Sequence, residues 1–420
     1  MSDTTLKLLV IGKTWPEPGS SAAGRRILQL MQLFLSEHWE ILFVSSSKQS
    51  PYAELPHHPN VRHQSVVLND SSFDELMQSE QPDVVLFDRF MTEEQFGWRV
   101  AEQAPDALRI LDMEDLHCLR DEREKCVKQG VSFEPERLLT NATAVREISS
   151  MHRCDLSIVI SGYEMNLLKE QFYFSDDQLL YIPFLLDDEE IKGVDEPNGY
   201  QGRAHFCMIG NFHHAPNRDS IQWLRNTIWP AIRNALPKVE VHIYGAYMPE
   251  SEITLGKTPD GVVMKGRADS VEETLCQYRL LLAPLRFGAG LKGKLVDAML
   301  TGTPSVTTTI GAEGMMVDEP WPGAVADDPG LFAQAAIDLY NDEEKWTGCR
   351  NRCRSNLTKQ FRSVEFKERL MGRVQNLMNT IHEHRTNHFI GTMLRHHTLA
   401  SHRYLSKWIE EKNRPDSGKI

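Results

Sequence analysis

Apolar residues along this chain fall into short runs of four to six, separated by longer stretches in which they recur at helical spacing. In the first half the runs are Leu6–Ile11, Glu40–Ser45, Asp83–Phe87, Leu108–Asp112, Leu156–Ser161 and Leu179–Pro183. In the second half they are His205–Ile209, Glu240–Tyr244, Val262–Lys265, Leu280–Leu285 and Ser305–Thr309. Runs of that length suit buried strands. Between them, Glu93–Gln103 and Phe133–Met151 read as helices. So does a long amphipathic stretch opened by Pro216-Asn217, with Ile221, Trp223, Leu224, Ile228 and Ile232 as its apolar positions. Strand and helix alternate throughout, which predicts α/β architecture with parallel, doubly wound sheets.

A length of 420 residues exceeds one ordinary core, so two domains are expected. Residues 187–203 are acidic, carry glycine and hold few apolar side chains, which is linker composition. The expected division is 1–190, a linker at 191–203, a second domain at 204–365, and terminal helices with a histidine-rich tail at 366–420. In that tail Phe389, Met393, Ala400, Tyr404 and Trp408 recur near helical spacing. The spacing predicts an amphipathic helix that packs back on the body, with peripheral contact to an anionic membrane face as the second option.

Net charge is −13, which argues against a nucleic-acid partner. No apolar run is long enough to span a membrane, and the first residues lack signal-peptide order. Seven cysteines without paired spacing fit a reducing cytoplasm, and Cys349 and Cys353 read as helix residues rather than zinc ligands.

Candidate chemistry concentrates in residues 280–314. A strand empties into a loop with Gly288 and Gly290, a helix follows from Lys292, and the next strand empties into Gly311-Ala-Glu313-Gly314. Ligands bind beyond the carboxyl ends of strands in such sheets. Turn amides and helix starts favour anions, and Arg286, Lys292 and Lys294 add full charges. A diphosphate cradle is the expected use. Further strand-end residues face the same edge: Gly19 and Ser20 after the first strand, Asn211 and His213 after His205–Ile209, and Gly266 with Arg267. Adjacent histidines at 213 and 214 point to opposite faces of a strand, so contact with a ligand or the other domain is favoured over a metal.

The cluster Asp112-Met-Glu-Asp115-Leu-His117-Cys-Leu-Arg120 gathers three carboxylates, an imidazole and a guanidinium at another strand end. It either meets a substrate or caps the next helix and pairs internally. Ser161 and Glu164 read as a helix cap and its capping box.

The stretch LAPLRFGAGLKGKLVDAMLTGTPSVTTTIGAEGM resembles the donor-binding region of retaining GT-B glycosyltransferases of family four, the glycosyl transferases group 1. GNFHHAPN with VHIYG, and DMEDLHCLRDER with CDLSIVISGYE, resemble other parts of the two domains. The resemblance implies two Rossmann-like domains facing across a cleft, with a helical C-terminal extension. It implies a nucleotide-diphosphate sugar as donor, a glycan, lipid-linked or other hydroxyl as acceptor, and no metal or other cofactor. Asp297 stands where the family carries a Glu that holds the donor ribose. The family's other Glu, eight residues earlier, is Ala289 here, so the donor-sugar contact expected there is absent or supplied elsewhere, with Glu313 a candidate. Lys292, Lys294, Arg286 and the loop amides would stabilise the leaving diphosphate, while His117, Asp115 and Arg120 would orient sugar or acceptor. Two alternatives stand beside transfer: a sugar-nucleotide epimerase, and a non-catalytic binding subunit on the same scaffold.

Overall fold

The computed structural model describes residues 5–192, 199–315 and 319–413; most of the expected linker core, 193–198, and the last seven tail residues lie outside them. Two all-parallel sheets organise the chain. The first contains β1 (Lys7–Gly12), β2 (Glu40–Ser45), β3 (Val61–Ser65), β4 (Val84–Asp88), β5 (Leu108–Asp112), β6 (Leu156–Val159) and β7 (Leu179–Tyr181), in the order β3-β2-β1-β4-β5-β6-β7. The second contains β8 (Ala204–Ile209), β9 (Val241–Tyr244), β10 (Val262–Gly266), β11 (Tyr278–Ala283), β12 (Ser305–Thr307) and β13 (Gly323–Val325), in the order β10-β9-β8-β11-β12-β13.

Each sheet has apolar clusters on both faces, as sheets covered by helices on two sides require. Edge strands β3 and β13 escape the hydrophobic pattern for a physical reason. Val61–Ser65 is mostly exposed and Gly323–Val325 only half-buried, so neither carries an apolar run. The expected helix Phe133–Met151 is in fact a 3-10 turn, Pro135–Thr140, followed by a helix Ala142–Arg153. Asn141 separates them, its side chain accepting from the amides of Thr143 and Ala144. The long helix after residue 215 is likewise divided, with a π-helical turn at Leu224–Ile228 just before Pro230. Proline cannot donate to the turn behind it, which accounts for the interruption.

After the second domain the chain returns to the first. Helix Ser363–Asn387 places Phe366, Leu370, Val374, Leu377 and Ile381 in the core beneath the first sheet. Helix Phe389–Asn413 packs on Phe90–Gln103 and Ala142–Arg153 and is pinned by Arg403–Glu102 (2.6 Å). Its outer face leaves Phe389, Met393, Tyr404 and Trp408 exposed. Among the described residues no helix is long and apolar enough to cross a membrane. All seven cysteines are free, and Cys353 bonds back to the Cys349 carbonyl within one helix.

Candidate active site

A cavity of about 520 Å³ lies between the two sheets. Its walls come from residues following the carboxyl ends of β4 to β11, together with the loop before helix Ala22–Leu35. Parallel strands put all those ends on one edge, and the two edges face each other.

On the second domain, the loop after β11 supplies Gly288, Ala289, Gly290 and Lys292 to the wall, and the first turn of helix Gly293–Leu300 supplies Lys294. Gly290 has a φ of 62°, and a β-carbon there would stand 2.8 Å from Asp115 Cβ. Glycine is therefore required both by backbone conformation and by the opposite domain. Both lysines are turned inward. Lys292 donates to the Gly290 carbonyl (2.8 Å) and Lys294 to Asn217 Oδ1 (2.6 Å). Burial lowers each ammonium pKa to about 8, so both are short of compensating negative charge. Asp297 also lines the cavity and pairs with Arg25 of the first domain at 2.5 Å.

On the first domain, Asp115 is bound by Arg120. Burial alone would lift this carboxyl, but Arg120 and His117 hold it well below the ordinary value. His117 Nδ1 lies 3.3 Å from Glu147 Oε1. Burial opposes its positive charge, yet Asp115 and Glu147 raise its pKa overall. The amides of His117 and Cys118 donate to Glu147 (3.0 and 2.9 Å). The start of helix His117–Gln129 is thus capped by another helix and not by its own carboxylates. Gly19 and Ser20 line the same space, followed by Ser21, which caps helix Ala22–Leu35 through the Gly24 amide (3.0 Å).

Several expected site residues lie elsewhere. Arg286 points away from the cavity, paired with Asp219 (2.9 Å) and set over Trp223. The second glycine stretch is a short helix, Thr309–Ala312, and none of Gly311, Glu313 and Gly314 lines the cavity. Gly311 packs on Thr307, and Glu313 is held by both terminal nitrogens of Arg123 (2.7 Å each). Glu313 is therefore already engaged across the domains. His213 stacks on Tyr247 outside, and its neighbour His214 takes the wall position. Gly266 ends β10 behind Arg267, which lines the cavity.

Glu164 is the largest departure from the sequence reading. Its side chain does not cap the helix that begins at Gly162. Instead one oxygen accepts from Leu116 N (3.0 Å) and from Gly290 N (2.8 Å), joining the two domains behind the cavity. Burial and the nearby Asp115 push its pKa up to about 7, against the pull of those two amides. Capping-box spacing matched by coincidence, and only the assembled chain puts Gly290 within reach. Arg25, Arg89 and Glu114 complete the charged lining. Arg89, directly after β4, had a usable signal in its strand-end position.

Residues 203–342 match the family model described as Glycosyl transferases group 1. A sucrose-phosphate synthase from Thermosynechococcus elongatus shares the fold with a TM-score of 0.65 at 13% identity, over 89% of this chain and 100% of that one. The Anabaena protein HepE, solved with UDP and glucose, gives 0.64 at 14% identity over 89% and 100%. The pneumococcal O-GlcNAc transferase GtfA, solved with UDP and GlcNAc, gives 0.63 at 13% over 89% and 99%. An uncharacterized 44.6 kDa protein in the cps region of Klebsiella pneumoniae is 26% identical over 188 residues. That match takes in 40% of this chain and 48% of the relative, so the chain spans about half the length of that protein. Two facing Rossmann-like domains, the second of them matching the group 1 glycosyl transferases, identify the fold of this protein as GT-B.

Proposed function

We propose that the protein is a glycosyltransferase that moves a sugar from a nucleotide-diphosphate sugar to an acceptor hydroxyl with retention of configuration. The observation that carries this is the pair of inward-turned lysines, Lys292 buried and Lys294 half-buried, beside a glycine loop in an interdomain cavity. Two desolvated ammonium groups with depressed pKa values favour an anionic ligand, and a diphosphate meets both. As the glycosidic bond breaks, charge grows on the diphosphate. Fixed cations and loop amides in the cavity stabilise that charge more strongly than they stabilise the intact donor. With these groups in place, departure needs no metal ion. The acceptor hydroxyl then attacks the anomeric carbon from the leaving-group face and gives its proton to the departing diphosphate oxygen, with His117 and Asp115 orienting it from the opposite wall. Arg286 has no part in this scheme.

UDP and its sugars head the donor panel, because proteins of this fold were solved with UDP and with UDP-glucose. A ligand that binds only the folded form raises its melting temperature. In a thermal-shift screen against UDP, GDP, ADP and their sugars, at least one diphosphate should raise the melting point. No shift with any of them would sink the proposal. Retention is read by NMR of the product's anomeric configuration once an acceptor is found, and an inverted product would overturn that part alone.

The exposed Phe389, Met393, Tyr404 and Trp408, with Lys407 and Lys412 on the same helix, support peripheral contact with an anionic lipid surface. Co-sedimentation with phosphatidylglycerol vesicles but not phosphatidylcholine is expected. Equal behaviour with both would remove the electrostatic part of that idea.

A further inference from the structure

Eight non-glycine residues have positive φ among the described residues, and two of them line the cavity: Arg89 at 71° and Glu114 at 64°. They follow the ends of β4 and β5, which are neighbours in the first sheet. The left-handed region is strained for a side-chain-bearing residue, and such strain gathers where function holds a residue in place. Glu114 is also 9% exposed, and its Oε1 has no hydrogen-bond partner. A buried carboxyl oxygen left unpaired is costly unless a ligand supplies the partner.

Position supplies the rest. Glu114 and Ala289 belong to opposite walls of the same cavity, and the two loops meet there. The Glu114 carbonyl oxygen lies 3.3 Å from where a Gly290 β-carbon would be. Ala289 offers the glycine loop no polar side chain, so polar contact to a sugar held at that loop has to come from the facing wall, where the carboxyl of Glu114 has an unpaired oxygen. We propose that Glu114 binds a hydroxyl of the transferred sugar and sets which sugar the enzyme accepts. Burial and the adjacent Asp112 raise the pKa of this group well above the ordinary value. In its protonated form one carboxyl donates to one hydroxyl and accepts from another.

This inference rests on the glycosyltransferase reading, and its test separates the two. Calorimetry on the full chain compares UDP, GDP and ADP with their glucose, galactose, mannose and N-acetylglucosamine conjugates, in wild type, Glu114→Ala, Glu114→Gln and Glu114→Gly. In wild type one conjugate should bind more tightly than its parent diphosphate. Glu114→Ala should leave the parent diphosphate within about twofold and weaken that conjugate by about tenfold or more, with Glu114→Gln between. Glu114→Gly removes both the strain and the unpaired oxygen, so its melting temperature should be unchanged or higher while sugar selectivity is lost. A residue with only a structural role would show the reverse, a lower melting temperature with selectivity kept, and that result overturns the proposal. A wild type that gains nothing from any sugar overturns it as well. Absence of binding by every diphosphate would instead remove the cradle beneath it.

Discussion

Two glycine-bearing loops follow neighbouring strands, β11 and β12, and from sequence they look alike. The first, at 288–294, forms a wall of the cavity, and the second, at 309–314, does not. The second loop lies behind the site, where Glu313 is gripped by Arg123 of the other domain. Arg123 also donates to the Gly288 carbonyl at 2.9 Å, so one buried guanidinium ties both loops to the first domain. Glycine content after a strand marks a tight turn or a close approach. Whether a ligand or another part of the protein makes that approach depends on which loop the opposite domain covers.

The sharpest way to test this division is Lys294→Ala. If the cavity holds the donor diphosphate as proposed, removing this half-buried cation from its wall should lower turnover by about 10²–10³, with circular dichroism and melting temperature little changed. Wild-type turnover would take Lys294 out of the cradle. Next comes Arg123→Ala, which strands Glu313 without its partner and frees the Gly288 carbonyl. Breaking a buried pair costs about 3–5 kcal/mol, so chemical denaturation should show a large loss of stability. A loss of donor affinity without a loss of stability would show that Arg123 acts on the site, through the Gly288 carbonyl it holds, and not chiefly as a structural tie.

A pH titration gives a smaller and more graded effect. With pKa values near 8 in the free protein, Lys292 and Lys294 lose charge as pH rises past that point. A bound diphosphate favours the protonated forms, so its affinity should fall as pH rises past about 8. The slope approaches tenfold per pH unit for each lysine that titrates. The sign for folding is opposite. These groups carry fewer protons folded than unfolded between 8 and the ordinary lysine value of 10.5, so their contribution to stability grows with pH there. Affinity that does not change between pH 7 and 9.5 would place the phosphates elsewhere. The smallest effect belongs to Arg286→Ala. Its exposed pair with Asp219 is worth about 1 kcal/mol or less, and turnover should stay within about twofold. A loss comparable with that of Lys294→Ala would show that Arg286 swings into the cavity during the reaction.

Much of the architecture was legible because burial on both faces of a parallel strand writes a continuous apolar run. β2 and β5 were bounded as observed, and most other central strands to within about two residues at either end. Strands β3 and β13 were not, since edge positions need no such run. Within the site, the lysines and the first glycine loop were legible from charge and turn chemistry placed directly after a strand. Arg286 has the same chemistry in the same loop, and it faces out because Asp219 and Trp223 stand beside it.

From residue order alone came the alternation of strand and helix, the pairing of two similar domains, and the edge on which a ligand would lie. These follow from local pattern, because side-chain direction repeats with a period set by the backbone. Contacts between residues far apart in the chain were decided only in three dimensions. Glu164 on the amide of Gly290, Arg25 on Asp297 and Arg123 on Glu313 join partners separated by more than a hundred positions. Nothing in the spacing of either partner announces the other. Such pairs form because the folded domains bring two charged or polar groups together out of water, where leaving either one alone would cost too much.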